Sequence, residues 1–285
     1  TRRSSDLMGK GSWHIGTFAG IPVRIHWSFS LIFLFFAYQV QDATNFWHSL
    51  GMESLLVGLL FLCVVLHEYG HALTARRFGV ETRDIILLPI GGVARLERLP
   101  EKPAQELWIA IAGPAVNLVI ATLLSAYFLI VPWPRILELI SAVEPGQGFT
   151  EPLLLVPVLL FGNLILVVFN LVPAFPMDGG RILRAFLAMR MERVKATRVA
   201  SIMGRIFAFV FLALAVYLGN FVLGFISIFI YFAAGQEYNV VKMFHSLQGY
   251  TARDILRTHF TTFSPDESMA APMAVYRQGA EKHFL

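Results

Sequence analysis

Long apolar segments separated by short polar stretches dominate this chain. Because a helix needs about 20 mostly apolar residues to cross a bilayer, the pattern predicts an α-helical polytopic membrane protein with six transmembrane helices. The first segment is short and is expected to extend to about residue 46, and the last two are expected to form a helical hairpin that turns at Gly219-Asn220. The six segments are 27–40, 54–75, 107–131, 153–175, 199–218 and 221–235.

The composition supports this class of protein. Hydrophobic residues make up 56% of the 285 positions and charged residues only 15%, as is usual for a multi-pass membrane protein. Of the 23 Lys and Arg residues, all but Arg135 fall in every second loop. Basic loops stay on the cytoplasmic side, so the sequence predicts a cell-membrane protein with both termini in the cytoplasm. No basic patch is interleaved with exposed aromatic residues, and nucleic acid is therefore not an expected partner.

Two stretches between the apolar segments have strand character. Residues 11–26 mix apolar residues with Gly, Pro and polar residues, which indicates an interfacial strand or hairpin before the first span. Residues 80–98 alternate loosely around Pro89 and Gly91-Gly92. They predict a β-hairpin at the cytoplasmic interface, with strands at about 80–88 and 93–98. An ordinary connecting loop is the alternative for this second stretch.

Ionisable residues interrupt the second apolar segment. Its sequence contains His67, Glu68 and His71, and a charged group at the centre of a transmembrane helix costs about 2.5–3.5 kcal/mol on insertion scales. In a helix the two histidines lie one turn apart on one face, where they can bind one metal ion, while Glu68 points about 100° away. Two histidine ligands with an adjacent carboxylate base are the arrangement of a zinc hydrolase. A zinc site of this kind also needs a third protein ligand and an open coordination position for water. Cys63 lies one turn before His67, where it is either close to the metal or a small core residue. The alternative for the motif is a pair of ordinary surface or core histidines.

Two further motifs place polar groups in the membrane at a similar depth. Gly113-Pro114-Ala115-Val116-Asn117 lies early in the third segment, and its alternative is helix packing through small residues and Asn117. The fourth segment ends in a stretch from Asn170 to Arg181 with two prolines and two glycines, which cannot continue a regular helix. Unwound backbone at this depth must be buried in protein or line a wet cavity. Asp178 in this break is therefore a candidate ligand. Because successive spans cross the membrane in opposite directions, all three motifs are expected to lie in the inner leaflet.

Together these motifs resemble the site-2 protease family of intramembrane zinc metalloproteases. The matching patterns are His-Glu-x-x-His at 67–71, Gly-Pro-x-x-Asn at 113–117 and Asn-x-x-Pro-x-x-Pro-x-Asp-Gly-Gly at 170–180, within a resemblance that covers roughly 10–240. The resemblance implies one zinc ion per chain and regulated intramembrane proteolysis of transmembrane protein substrates. It implies that zinc is bound by His67, His71 and Asp178, that Glu68 is the catalytic base, and that Asn117 and Asn170 help to bind substrate.

The C-terminal tail resembles the beginning of a CBS domain, a regulatory module that often binds adenine nucleotides. The expected domains are an N-terminal interfacial segment at 1–26, a six-span membrane protease domain at 27–240 and a truncated CBS-like α/β region at 249–285. A fragment this short cannot bury its own core, so the chain is expected to be cut short. A complete CBS domain would bind nucleotide and could support a homodimer. A cytoplasmic helical tail is the alternative.

Two functions from other classes use the same residues. A divalent-metal transporter would bind its ion in transit through these ligands, and it predicts a polar path to both faces of the membrane. A non-catalytic membrane metal-binding protein would use a structural metal, and it would not need Glu68.

Overall fold

The computed structural model describes residues 11–89, 91–98, 100, 102–143, 150–246, 268–270 and 273–274. The chain divides into two compact units, Thr1–Val241 and Lys242–Leu285. The CBS-like tail predicted at 249–285 lies almost entirely outside the described residues. The helices are α1 (Ser30–Gln39), α2 (Phe46–Arg77), α3 (Pro103–Ser125), α4 (Trp133–Ser141), α5 (Leu155–Asn170), α6 (Asp178–Ala188), α7 (Arg193–Leu218) and α8 (Phe221–Ser246).

Within the described residues, five helical segments are long and apolar enough to cross a membrane. They correspond to the predicted spans from the second to the sixth, and they are centred on α2, α3, α5, α7 and α8. Large apolar side chains face outward along them; Leu123 is 71% exposed and Val168 70%. Such surfaces suit lipid, which is as apolar as the side chains themselves.

The first predicted span differs from the expectation. Helix α1 has only ten residues, and the chain turns at Val40 before α2 begins at Phe46. The expected extension of the first span to about 46 is therefore wrong, because polar residues such as Gln41 and Asp42 occupy the turn. Even with the short 3₁₀ turn before it, α1 is shorter than the length that a crossing requires. Six spans are not confirmed.

The predicted hairpin of the last two spans is confirmed. Helix α7 ends at Leu218, and Gly219 follows with φ +63°, the left-handed conformation that commonly ends a helix. The Asn220 side-chain oxygen accepts a hydrogen bond from the Leu223 N–H at the start of α8. A glycine and an asparagine therefore make the turn, as the sequence indicates.

Both predicted hairpins are present, and they form one sheet. Strands β1 (Ser12–Phe18) and β2 (Ile21–His26) are antiparallel, as are β3 (Thr82–Leu88) and β4 (Gly91–Leu96). The sequence did not reveal the parallel pairing of β2 with β3, which gives the order β1-β2-β3-β4. Apolar residues of β2 and β3 pack against α2, and β4 is an edge strand.

The predicted break after the fourth span is also confirmed. Helix α5 ends at Asn170, residues 171–177 are not helical, and Asp178 is the first residue of α6. Glu106 of α3 holds α6 in place, because its carboxylate accepts hydrogen bonds from Arg184 Nε at 2.6 Å and from Arg193 Nη2 at 2.7 Å. Glu106 and Arg184 are buried. This ion-pair cluster fixes the helix that begins with Asp178.

Candidate metal centre

Three side chains from two helices converge on one buried point. His67 and His71 lie one turn apart on α2, with their Nε2 atoms 3.1 Å apart. The Asp178 Oδ2 atom lies 3.0 Å from each Nε2 atom. All three residues are buried, with exposed fractions of 6%, 3% and 7%. The structure thus brings together the three ligands that the resemblance implies.

Hydrogen bonds on the far side of each ring set its tautomer. His67 Nδ1–H donates to the Asn117 side-chain oxygen at 2.6 Å, and His71 Nδ1–H donates to the Ile109 carbonyl at 2.7 Å. With the proton on Nδ1, each Nε2 atom carries a lone pair directed at the shared point. Partners of this kind orient metal-binding histidines and raise their basicity.

The distances between the three donor atoms suit a zinc ion. Ligands on bonds of about 2.0–2.1 Å at the corners of a tetrahedron are separated by about 3.3 Å, close to the 3.0–3.1 Å observed here. The space between them is bounded by the backbone of Gly113: a Cβ atom there would contact His71 Nε2 and lie 2.6 Å from His67 Nε2. The backbone of Gly113 thus lies directly against the two imidazoles. Among the described residues, this is the group of His, Cys, Asp and Glu side chains with metal-ligand spacing.

Glu68 lies next to the cluster and contacts the sheet. Its Oε2 atom accepts a hydrogen bond from the Ala94 N–H of β4 at 3.1 Å. The strand approaches α2 so closely that a Cβ atom at Gly92 would lie 2.7 Å from Glu68 Cγ. The Ala94 N–H thus points from β4 towards α2. The edge of β4 therefore borders the candidate base.

The glycines of both motifs permit the close contact of α2 with α3. A Cβ atom at Gly70 would lie 2.7 Å from the Ala112 carbonyl oxygen, and Gly113 faces the imidazoles. Small residues let membrane helices approach closely. The Gly-Pro motif therefore serves helix packing and the metal site at once, because close packing of α3 on α2 places α3 against the ligands.

The two asparagines predicted to bind substrate lie in different environments. Asn117 is fully buried, and its amide is engaged on both sides, by His67 and by Asn163. These hydrogen bonds orient the His67 ring, and contact of Asn117 with substrate stays a prediction. Asn170 ends α5, is half-buried, and makes no side-chain hydrogen bond among the residues that the structure describes.

The sequence did not point to Asn163, and it left undecided whether Cys63 lies near the metal or in the core. Asn163 is fully buried on α5 and donates from Nδ2 to the Leu159 carbonyl at 2.8 Å and to the Cys63 sulfur at 3.4 Å. Cys63 is thus a buried residue beside Asn163 and does not join the metal-spaced group. The available signal was an amide inside an apolar segment, about two turns before the Asn170 motif.

Comparisons with known proteins agree with this geometry. The family model described as "Peptidase family M50" matches residues 55–214. The chain is 38% identical to "Zinc metalloprotease MJ0392" of Methanocaldococcus jannaschii, over 88% of this chain and 67% of that protein. It is 31% identical to the protein sll0528 of Synechocystis sp., over 84% of this chain and 63% of that protein. The chain therefore spans about two thirds of the length of these relatives.

A solved structure is also similar. The structure titled "Site-2 Protease from Methanocaldococcus jannaschii" matches with a TM-score of 0.55 and 35% sequence identity, over 80% of this chain and 95% of that chain.

Proposed function

The chain belongs to peptidase family M50, the site-2 proteases, and from this membership we propose that it is an intramembrane zinc metalloprotease that cleaves other membrane proteins within or near their transmembrane segments. One observation carries the proposal. A buried His67–His71–Asp178 cluster lies between helices that can span a membrane, with Glu68 beside it. Buried ionisable groups at membrane depth call for a function.

His67, His71 and Asp178 would hold the metal. Zinc bound there supplies a Lewis acid that polarises a peptide carbonyl and makes water acidic enough to attack near neutral pH. Glu68 takes the proton of the attacking water and passes it to the departing amine, so that the peptide bond is broken and water is added across it. Its position directly after His67 supports this role.

The substrate is a membrane helix that unwinds before cleavage. A helical peptide carbonyl is already bonded to the amide four residues on, so the segment must become extended. We infer that the extended segment pairs with the edge of β4, whose Ala94 N–H points towards the base. Pairing restores backbone hydrogen bonds that the substrate loses when it unwinds. Asn170, at the end of α5, remains a proposed substrate contact.

The orientation and the tail complete the proposal. The distribution of Lys and Arg supports cytoplasmic termini, which would place the sheet and the cluster towards the cytoplasmic leaflet. The sequence of 249–285 supports a CBS-like region that binds adenine nucleotide and joins two chains when complete. A membrane-embedded protease would then respond to a cytoplasmic ligand.

The test uses purified wild-type protein and the Glu68→Gln variant in liposomes. Metal content is measured by elemental analysis, and cleavage is measured on a panel of single-span membrane peptides. The proposal predicts about one zinc in both proteins and cleavage by the wild type alone. A Glu68→Gln variant with full activity would remove Glu68 as the base. Zinc in both proteins, metal flux into the liposomes and no cleavage would favour a transporter.

A further inference from the structure

A continuous chain of buried hydrogen bonds runs from the metal cluster to the backbone of α5. His67 Nδ1–H donates to Asn117 Oδ1 at 2.6 Å, and Asn117 Nδ2–H donates to Asn163 Oδ1 at 2.9 Å. Asn163 Nδ2–H in turn donates to the Leu159 carbonyl at 2.8 Å. Both asparagines are 0% exposed, so water does not compete for these groups.

The second N–H of Asn163 closes this chain into a ring. It points to the Cys63 sulfur at 3.4 Å, and Cys63 lies one helical turn before His67 on α2. The ring therefore joins α2, α3 and α5 at the level of the metal cluster. Each amide in it uses its oxygen as an acceptor and its nitrogen as a donor, which leaves neither asparagine free to turn over.

The direction of the chain is set at the backbone end. A carbonyl can only accept, so the Leu159 carbonyl requires the nitrogen of Asn163 and turns the Asn163 oxygen towards Asn117. That oxygen requires the nitrogen of Asn117, which turns the Asn117 oxygen towards His67. An oxygen facing Nδ1 requires the proton on Nδ1, and this leaves the Nε2 lone pair of His67 for the metal. With either amide reversed, two oxygens or two N–H groups would face each other in a buried site, and each group would be left without a hydrogen-bond partner.

We propose that Asn163 is a positioning residue of the metal centre: it fixes the orientation of the Asn117 amide and thereby the tautomer of His67 that binds metal. The inference rests on the proposed metal centre. It does not depend on which substrate is cleaved, since the hydrogen bonds of Asn163 are made with Asn117, Leu159 and Cys63.

The test measures zinc affinity of the full chain in detergent, by competition with a chromophoric chelator. Asn163→Leu removes the acceptor for Asn117 and is expected to weaken zinc binding by about 10- to 100-fold, the range for the loss of such a supporting group. Asn163→Asp, protonated in its buried site, can still accept from Asn117 and donate to the Leu159 carbonyl. It is expected to bind zinc nearly as tightly as the wild type.

Leu166→Ala is the matched control, because it removes apolar packing one turn further along α5 and leaves the hydrogen-bond ring intact. It should lower the thermal stability of the metal-free protein without changing zinc affinity. If Asn163→Leu does not fold, Asn163→Ala removes the same amide without adding bulk. Wild-type affinity in Asn163→Leu or Asn163→Ala would overturn the inference, as would an Asn163→Asp variant as weak as the leucine variant. A wild type that binds no zinc would overturn the proposed function as well.

Discussion

A single methyl group at Gly113 should strongly weaken metal binding. The Cβ atom of alanine at this position would lie 2.6 Å from His67 Nε2 and would also contact His71 Nε2. Ordinary contact begins at 3.4 Å, so the His67 ring must retreat by about 0.8 Å. Functional metal sites keep ligand distances to about 0.2 Å. The methyl group also occupies the space that the metal needs, because zinc–nitrogen bonds are about 2.0–2.1 Å long.

We therefore expect Gly113→Ala to lower zinc affinity by at least about 100-fold. This is more than the loss that usually follows when a residue hydrogen-bonded to a metal ligand is changed. Gly58→Ala is one control, since a Cβ atom there meets nothing within 4 Å. Gly162→Ala is the second, because its Cβ atom meets only Leu60 Cδ2, at 2.7 Å, and so tests crowding between helices away from the metal. Zinc affinity is measured by chelator competition and folding by size-exclusion chromatography. Full zinc content in folded Gly113→Ala would refute the arrangement of the three donors around Gly113.

Three further predictions follow from the contacts around the site. Arg184→Met removes one of the two cations that neutralise the buried Glu106 carboxylate and should lower the free energy of unfolding by about 3–5 kcal/mol. Denaturation in mixed micelles measures this loss, and Arg190→Met, at an exposed position, should cost little. Ala94→Pro removes the edge N–H that points at the base and should slow cleavage while zinc stays bound, whereas Ala94→Gly keeps the N–H and should cleave faster than the proline variant. For topology, a cysteine introduced at Arg135 should react with an impermeant maleimide from outside the cell and one at Arg190 only from inside; the reverse pattern would contradict cytoplasmic termini.

The sequence predicts those parts of the site that a helix or a break fixes locally. His67 and His71 must share a helix face because four residues make about one turn, and two prolines and two glycines must interrupt the segment that brings in Asp178. Topology then placed both motifs at one depth. Apolar length likewise predicted the five helices that the structure finds long enough to span a membrane.

Other features depend on partners that are distant in the chain. The pairing of β2 with β3 joins strands separated by the whole of α1 and α2, and no local pattern encodes it. The orientation of the Asn117 amide depends on Asn163, 46 residues away, and no local pattern predicts that hydrogen bond. The expected extension of the first segment to about residue 46 was wrong, because the helix ends at Gln39, where polar residues begin a turn.

The most direct test of the account is X-ray absorption spectroscopy at the zinc edge on the purified, zinc-loaded chain. The account predicts one zinc whose first shell contains only nitrogen and oxygen, at about 2.0–2.1 Å, with the outer-shell signals of two imidazoles. Asp178→Ala should retain both imidazole signals and lose affinity. A thiolate sulfur at about 2.3 Å would have to come from Cys63, the single cysteine of the chain. Such a neighbour, or a first shell with no imidazole, would contradict the assignment of His67, His71 and Asp178 as the ligands.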